Sequence, residues 1–243
     1  AYIEGIKDGW KFLKLAREAS KTKPIIVWRG GVTDAGAKAA ESHTGALAVP
    51  NAMWKAFSKQ CGIINTNSVE ELFDCLLAFL HLPIPKGRKV AVISGPGGPA
   101  VTAADACAEM GLELAQLSEE TRRMISSIIP PIGTSTKNPV DLGMGTVFAP
   151  EFYREAVRIV GGEENVDMLL VICFSPDAID MVLEAKKDLE KPVVIALPAI
   201  TELREYKLSP DKVIPAYPSD RRAARVLAAL VDYREFLEKQ NAY

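Results

Sequence analysis

Short runs of apolar residues alternate along the chain with longer stretches in which apolar and charged residues recur at helical spacing. Continuous apolar runs are typical of strands that are buried on both faces of a sheet. They occupy residues 24–28, 61–64, 89–93, 166–174 and 192–197. The stretches between them predict helices over residues 7–21, 51–60, 69–80, 100–110, 179–189 and 221–239. This alternation predicts an α/β fold in which helices cover parallel sheets.

Two prolines, Pro83 and Pro85, interrupt the pattern and predict a linker. Proline cannot continue a helix, so the helix before it ends close to His81. We therefore expect two domains, residues 1–82 and residues 88–243. Ser68 and Ser118 each precede acidic residues, which predicts capped helix starts at both places.

Composition excludes several classes of protein. The 243 residues are 48% apolar, enough for buried cores. They carry a formal net charge of −2 with no basic block, so we expect no nucleic-acid partner, and the apolar runs are too short to predict a membrane span. The four cysteines lie far apart, without a C-x-x-C pair. They indicate buried thiols in a reducing compartment, with no metal site, and a cytoplasmic location.

One stretch of small residues, 34–48, surrounds an imidazole and predicts a flexible loop. Ser42 and Thr44 flank His43 with hydroxyl groups, and Gly45 follows. A histidine in such a loop can act as a nucleophile or carry a proton, because its pKa lies near neutrality. On chemistry alone, a loop histidine bonded to a neighbour is the commoner explanation.

A second glycine-rich segment joins the strand at residues 89–93 to the helix that follows. It reads Ser94, Gly95, Pro96, Gly97, Gly98, Pro99. Strand, glycine loop and helix together can expose backbone N–H groups to a phosphate, with Pro99 at the first helical position. The segment lacks the Lys-Ser/Thr ending of a Walker loop, so a tight turn without a ligand is an equal alternative. Further on, Asn138 predicts an Asx-type turn rather than a domain-interface loop.

The run of residues 36–48 resembles the phosphohistidine loop of the NDP-forming acyl-CoA synthetases, which include ADP-forming acetate–CoA ligase and are related to succinyl-CoA synthetase. The resemblance extends to Glu4, to residues 94–99 and to residues 138–141, and it covers essentially the whole chain. It implies two flavodoxin-like domains, the first of them incomplete at its N-terminus. This segment of a longer polypeptide would be inactive alone.

The resemblance also implies the chemistry. His43 would carry phosphate between two active sites, Glu4 would hydrogen-bond its ring, and Ser42, Thr44 and Gly45 would support the loop. Ser94, Gly95, Gly97, Gly98 and Pro99 would bind the phosphate. CoA, ATP or ADP, and Mg²⁺ would be bound mainly by a CoA-binding domain and an ATP-grasp domain or subunit. The substrate would be a small carboxylic acid or its acyl-CoA, and the assembly an oligomer.

The sequence departs from the family's pattern at two positions, and two other classes of protein stay open as alternatives. Relatives commonly carry Lys at the position of Arg29, and Gly often follows the position of Ala48. The first rival is a non-catalytic, ligand-sensing copy of the assembly; it would be marked by loss of the histidine, which this sequence keeps. The second is a flavodoxin-like electron carrier or receiver, but the glycine segment lacks a flavin site's hydroxyl groups and no acidic cluster precedes it.

Overall fold

The computed structural model describes residues 1–44, 49–198, 204–209 and 212–241, and the chain forms two compact units. The first unit consists of residues 1–79 together with 232–243, and the second consists of residues 80–231. The sequence-derived boundary at residue 82 lies close to this division. Residues 232–241, which we expected in the second domain, instead belong to the first unit.

The first unit is built on a three-stranded parallel sheet. In chain order its elements are β1 (Tyr2–Ile3), α1 (Gly9–Ser20), β2 (Ile25–Arg29), α2 (Asp34–Thr44), α3 (Asn51–Cys61), β3 (Ile63–Thr66) and α4 (Val69–His81). The strand order is β1-β2-β3, so β2 is central. Trp28 pairs with both Tyr2 and Thr66, which places the carboxyl ends of the three strands at one edge.

An aromatic cluster joins the helices of this unit to its sheet. The Phe57 ring lies 5.4 Å from that of Phe12 and 5.5 Å from that of Trp54, in stacked arrangements. The Trp54 indole also donates a 2.7 Å hydrogen bond to the Asn65 side chain in β3. Stacked rings contribute about 0.5–1.5 kcal/mol beyond the area they bury. The cluster therefore fixes α1 and α3 against the sheet.

The segment around His43 contradicts our prediction of a loop, because residues 34–44 form the helix α2. Thr33 caps its start: the Thr33 hydroxyl accepts from the N–H of Gly36 at 3.2 Å, and its carbonyl accepts from Ala37. Alanine has the strongest intrinsic helix propensity of the amino acids, and the four alanines of this helix outweigh its single glycine. His43 lies in the last turn, and residues 45–48 lie outside the described part of the chain.

The second unit contains the larger sheet. Its elements are β4 (Lys89–Ser94), α5 (Gly97–Glu109), β5 (Glu113–Leu114), α6 (Glu119–Ile128), β6 (Val140–Asp141), α7 (Glu151–Gly162), β7 (Met168–Ile172), α8 (Pro176–Lys186), β8 (Val193–Ala196), β9 (Arg204–Ser209), β10 (Lys212–Tyr217) and the first half of α9 (Asp220–Asn241), with a 3₁₀ turn at Met144–Val147. From Asp232 onward α9 belongs to the first unit. The strand order is β5-β4-β7-β8-β10-β9, with β6 paired to β4 outside this path. Among the described strands, only β9 runs antiparallel to its neighbour.

This order places the parallel strands as 2-1-3-4-5, which is the flavodoxin-like arrangement. All five residues of β7 are buried, as its continuous apolar sequence predicts. Ser68 and Ser118 accept hydrogen bonds from the N–H groups of Glu71 and Thr121, which confirms both predicted caps. Helix α7 was not predicted from the sequence. It is amphipathic and buries Tyr153, Ala156, Val157 and Val160.

Asn138 departs from its predicted role in an Asx turn. Its side chain accepts from the N–H of Val92 at 2.9 Å and donates to the carbonyls of Val90 and Ala115 at 2.8 and 3.0 Å. These bonds fill the stretch of the β4 edge between its pairings with β5 and β6. The Asx turn lies three residues later, where the Asp141 carboxylate accepts from the N–H of Gly143 at 2.8 Å.

Candidate functional site

The glycine segment lies at the carboxyl edge of the larger sheet, where the chain order of the strands reverses between β4 and β7. Open α/β sheets bind ligands in the crevice at this switch point. The segment follows β4 and leads directly into α5. Its position therefore supports a ligand site independently of any sequence motif.

Two of the predicted phosphate-binding residues are used to build the segment itself. The Ser94 hydroxyl is buried and donates to the carbonyl of Pro96 at 2.8 Å. The N–H of Gly95 donates to the phenol oxygen of Tyr153 at 2.9 Å. In this arrangement neither group points to a ligand, so Ser94 and Gly95 position the segment.

Tyr153 anchors this segment from α7. Its side chain is only 3% exposed, and its hydroxyl donates to the carbonyl of Ile172 at 2.9 Å. Burial raises the pKa of Tyr153 above the ordinary tyrosine value, so the phenol stays protonated and donating. A Cβ atom on Gly95 would lie 2.8 Å from this oxygen and 2.5 Å from the Thr146 hydroxyl, so the close approach requires glycine.

Gly97 and Gly98 are the first two residues of α5, one turn earlier than we predicted. Helix geometry leaves their N–H groups without intrahelical acceptors, at the positive end of the helix dipole. Pro99 is consequently the third helical residue and not the first, and it removes one donor. Gly98 is exposed and has open space around its Cβ position.

A carboxylate lies beside this helix start. An oxygen of Asp141 would be 2.5 Å from a Cβ atom on Gly97. Such a charge is favourable at a helix N-terminus but repels a phosphate dianion. An anion that approaches from the side of Gly98, where space is open, lies farther from the Asp141 carboxylate and is repelled less.

The other predicted site residues lie in the first unit. His43 is exposed in the last turn of α2, and the Ser42 hydroxyl is bonded to the carbonyl of Lys38 at 3.0 Å. Ser42 therefore bonds its own helix backbone. The side chain of Thr44 and all of Gly45 lie outside what the structure describes.

Glu4 follows β1 and is partly buried. Its carboxylate accepts from the Tyr2 hydroxyl at 3.1 Å. Within the described part of the chain, no hydrogen bond joins Glu4 to His43. Both residues lie in the first unit, but this conformation does not bring them into the predicted contact.

Sequence reasoning gave no site role to Arg29, which ends β2. Its side chain is only 8% exposed, and it lines a small pocket with Glu4, Gly31, Val49 and Trp54. The detectable signal was a charged residue ending an apolar strand before two glycines.

The described residues contain neither a metal-binding cluster nor a membrane-spanning helix. Among the residues described, no three His, Cys, Asp or Glu side chains come close enough together to hold a metal ion. No helix in the described ranges is both long and apolar enough to cross a bilayer.

Comparison with known families matches both parts of the chain. The succinyl-CoA ligase like flavodoxin domain matches residues 1–79, and the Ligase-CoA domain matches residues 90–234. The α subunit of ADP-forming acetate–CoA ligase II from Pyrococcus furiosus is 34% identical over 241 residues, covering 95% of this chain and 52% of that protein. ADP-forming 4-hydroxybutyrate–CoA ligase from Nitrosopumilus maritimus is 30% identical, covering 98% of this chain and 35% of that protein.

One solved structure matches this chain over its full length. The dinucleotide forming acetyl-coenzyme A synthetase 1 of Ca. Korarchaeum cryptofilum, in complex with phosphate and ADP, gives a TM-score of 0.84 at 30% identity. The match covers 100% of this chain and 55% of that chain. It confirms the predicted α/β class with flavodoxin-like parallel sheets. The chain spans about half the length of these relatives or less.

Proposed function

Because this chain belongs to the NDP-forming acyl-CoA synthetase family, we propose that it is the phosphoryl-carrying part of such an enzyme. The observation that carries the proposal is His43, exposed at the end of a helix within the matched flavodoxin-like domain. An exposed imidazole on a helix end can reach reactants that other modules bind. Neutral imidazole is also a competent nucleophile at pH 7.

The proposed reaction proceeds in three balanced steps. A phosphate oxygen attacks the acyl-CoA carbonyl, the C–S bond breaks, and CoA leaves as the thiol. A ring nitrogen of His43 then attacks the phosphorus of the acyl phosphate, and the carboxylate leaves. Finally, a β-phosphate oxygen of ADP attacks the phosphorus of the phosphohistidine and the P–N bond breaks. The products are ATP and the neutral imidazole of His43.

Backbone N–H groups stabilise the phosphate in this proposal. Phosphoryl transfer depends mainly on positioning and charge stabilisation, which the start of α5 offers through Gly97 and Gly98. Ser94 and Gly95 hold these donors in place through Pro96 and Tyr153.

Glu4 orients the ring of His43 in the proposed mechanism. A carboxylate has about four lone-pair sites, so Glu4 can hold the Tyr2 hydroxyl and a ring N–H together. That bond fixes the tautomer and leaves the other ring nitrogen unprotonated for attack. It requires a conformation of α2 other than the one described.

Other modules complete the enzyme. We propose that a CoA-binding domain and an ATP-grasp domain or subunit bind CoA, the nucleotide and Mg²⁺, in an oligomer acting on a small carboxylic acid. A cytoplasmic location is supported by four buried cysteines without a disulfide. Residues 1–243 alone are expected to form no acyl-CoA.

Radiolabelling of the complete enzyme tests the proposal. With γ-labelled ATP and Mg²⁺, the enzyme should acquire acid-labile, alkali-stable phosphate, and His43→Ala should abolish it. His81→Ala is the matched control, because His81 is the only other histidine, and its labelling should be unchanged. Glu4→Gln should slow labelling, because an amide cannot stabilise a developing imidazolium.

Label that survives His43→Ala, or acid-stable label on Ser42 or Thr44, would refute the phosphohistidine. A wild-type enzyme that takes no label would indicate the non-catalytic, ligand-sensing class.

A further inference from the structure

Arg29 is a buried cation that has no countercharge within the described part of the chain. It ends the central strand β2, and one of its terminal nitrogens donates to the carbonyl of Gly31 at 3.3 Å. Its other terminal nitrogen, Nη1, is buried and has no hydrogen-bond partner among the residues that the structure describes. The guanidinium lies 5.6 Å from the centre of a Trp54 ring. In the described ranges, no Asp or Glu lies within ion-pair distance of it.

Such an arrangement is costly unless an anion lies close to the guanidinium. Buried charges are normally paired, because moving a cation out of water carries a penalty of several kcal/mol that only a close anion offsets. Burial lowers the pKa of Arg29, but arginine remains protonated at neutral pH. A positive charge kept in this state is ready to bind an anion.

The location of Arg29 favours a ligand. The pocket it lines lies at the carboxyl edge of the three-stranded sheet, where parallel sheets bind their ligands. Ile3, Glu4 and Gly5 from the end of β1 contribute to the same wall. Of the described residues that line the pocket, only Glu4 is acidic, and its carboxylate accepts a hydrogen bond from Tyr2.

We propose that Arg29 binds the oxygens of a phosphoryl group in this pocket. The inference rests on the proposed function and deepens it by assigning the first unit a phosphate-binding side chain of its own. A guanidinium suits the role because its planar fork can donate two parallel hydrogen bonds to one phosphoryl group. The phosphoryl group can be free phosphate or the group carried on His43, and the same donors serve both.

A packing role makes the opposite prediction about stability. If Arg29 served only to pack on Trp54, its replacement would lower the unfolding midpoint and leave phosphate binding unchanged. If it is a ligand-binding cation, an apolar residue of similar length removes the buried charge. Arg29→Met should then leave the midpoint without phosphate unchanged or higher.

The experiment compares Arg29→Met, Arg29→Lys and the control Lys11→Met in the complete enzyme. Lys11 is an exposed cation on α1 of the same unit. Three quantities are measured: KM for inorganic phosphate against kcat, the phosphate-dependent rise in the unfolding midpoint, and the half-life of the phosphohistidine after ATP is removed.

We expect Arg29→Met to raise KM for phosphate by about tenfold or more, the range seen when a charge-assisted hydrogen bond is lost. Its kcat should change less, and phosphate should no longer raise its unfolding midpoint. Arg29→Lys should be intermediate because it keeps the charge but not the fork, and Lys11→Met should match the wild type.

The results also separate the two sources of the phosphoryl group. A changed KM indicates free phosphate, whereas an unchanged KM with a shortened phosphohistidine half-life indicates the group on His43. Unchanged KM, half-life and midpoint response in Arg29→Met would overturn this inference while the wild type still takes acid-labile label. A wild type without that label would instead overturn the proposed function.

Discussion

The phenol oxygen of Tyr153 accepts a 2.9 Å hydrogen bond from the backbone N–H of Gly95, across 58 residues of sequence. The same hydroxyl donates to the carbonyl of Ile172 at the end of β7. One side chain from α7 therefore connects the segment after β4 to the neighbouring strand. It fixes the glycine segment at the point where the sheet's strand order reverses.

Tyr153→Phe should lower the free energy of unfolding by about 2 kcal/mol, because it leaves the buried N–H of Gly95 without an acceptor. Urea denaturation at pH 7 measures the change. Tyr2→Phe is the control: Tyr2 is 53% exposed, so its change should stay within about 0.5 kcal/mol. Equal effects of the two substitutions would contradict the anchoring role.

Asn138→Ala should lower the free energy of unfolding by about 3 kcal/mol. The substitution leaves the buried N–H of Val92 without its acceptor, which costs about 1–3 kcal/mol. It also removes two further hydrogen bonds, to the carbonyls of Val90 and Ala115, each contributing about 0.5–1.5 kcal/mol, although the Val90 carbonyl keeps its bond from the N–H of Ala115. Asn165→Ala provides the comparison, because the Asn165 side chain bonds the Gln116 carbonyl in an exposed setting. A loss no greater than that of Asn165→Ala would show that Asn138 does not complete the β4 edge.

Gly98→Val should slow phosphohistidine formation in the complete enzyme and leave the fold intact. Space is open at the Cβ position of Gly98, so the protein accommodates the side chain, but an anion approaching the helix start meets it. Gly162→Val is matched, because Gly162 is a helical glycine with the same open space at the end of α7. Labelling at the wild-type rate in Gly98→Val would contradict the proposal that the start of α5 binds the phosphoryl group.

Gly97 gives a less clear test of the same idea. A Cβ atom there meets the Asp141 carboxylate at 2.5 Å, so a substitution disturbs the free protein as well as any bound anion. Reduced labelling in Gly97→Val would therefore not distinguish the two effects, and Gly98 is the position to use.

Glu163 gives the second unit a pH-dependent stabilisation. Hydrogen bonds from the Thr121 hydroxyl at 2.6 Å and from Ser118 lower the pKa of Glu163 to about 2. Because the folded pKa is depressed, the stabilisation is present in full above the unfolded value of 4.5 and is lost as the pH falls toward 2.

Glu163→Gln should accordingly destabilise the protein at pH 7 by about 1 kcal/mol, a value reduced for partial exposure to solvent. The difference from the wild type should shrink steadily between pH 4.5 and pH 2. Urea denaturation at several pH values measures it, with the exposed neighbour Glu164→Gln as control. A difference that stays constant down to pH 2 would contradict the assignment to the Glu163 carboxylate.

The sequence by itself determined the α/β alternation, the main strands and several helix starts. These features depend on local physics: a continuous apolar run such as β7 must be buried on both faces, and the hydroxyls of Ser68 and Ser118 can cap only the helix that follows them. The order of residues around His43 was sufficient to show the resemblance to the phosphohistidine loop of the family. Its alanines favour the helix that the structure shows, whereas its glycines favour a loop.

Tertiary structure decided the rest, because the deciding partners lie far away along the chain. Nothing near Gly95 in the sequence predicts that its N–H bonds Tyr153, and nothing near Asn138 predicts that it bonds the backbone of β4, 46 residues earlier. Arg29 is an ordinary strand-end cation in the sequence. It becomes a candidate anion-binding residue only because folding buries its guanidinium beside Trp54, where none of the described carboxylates lies within ion-pair distance.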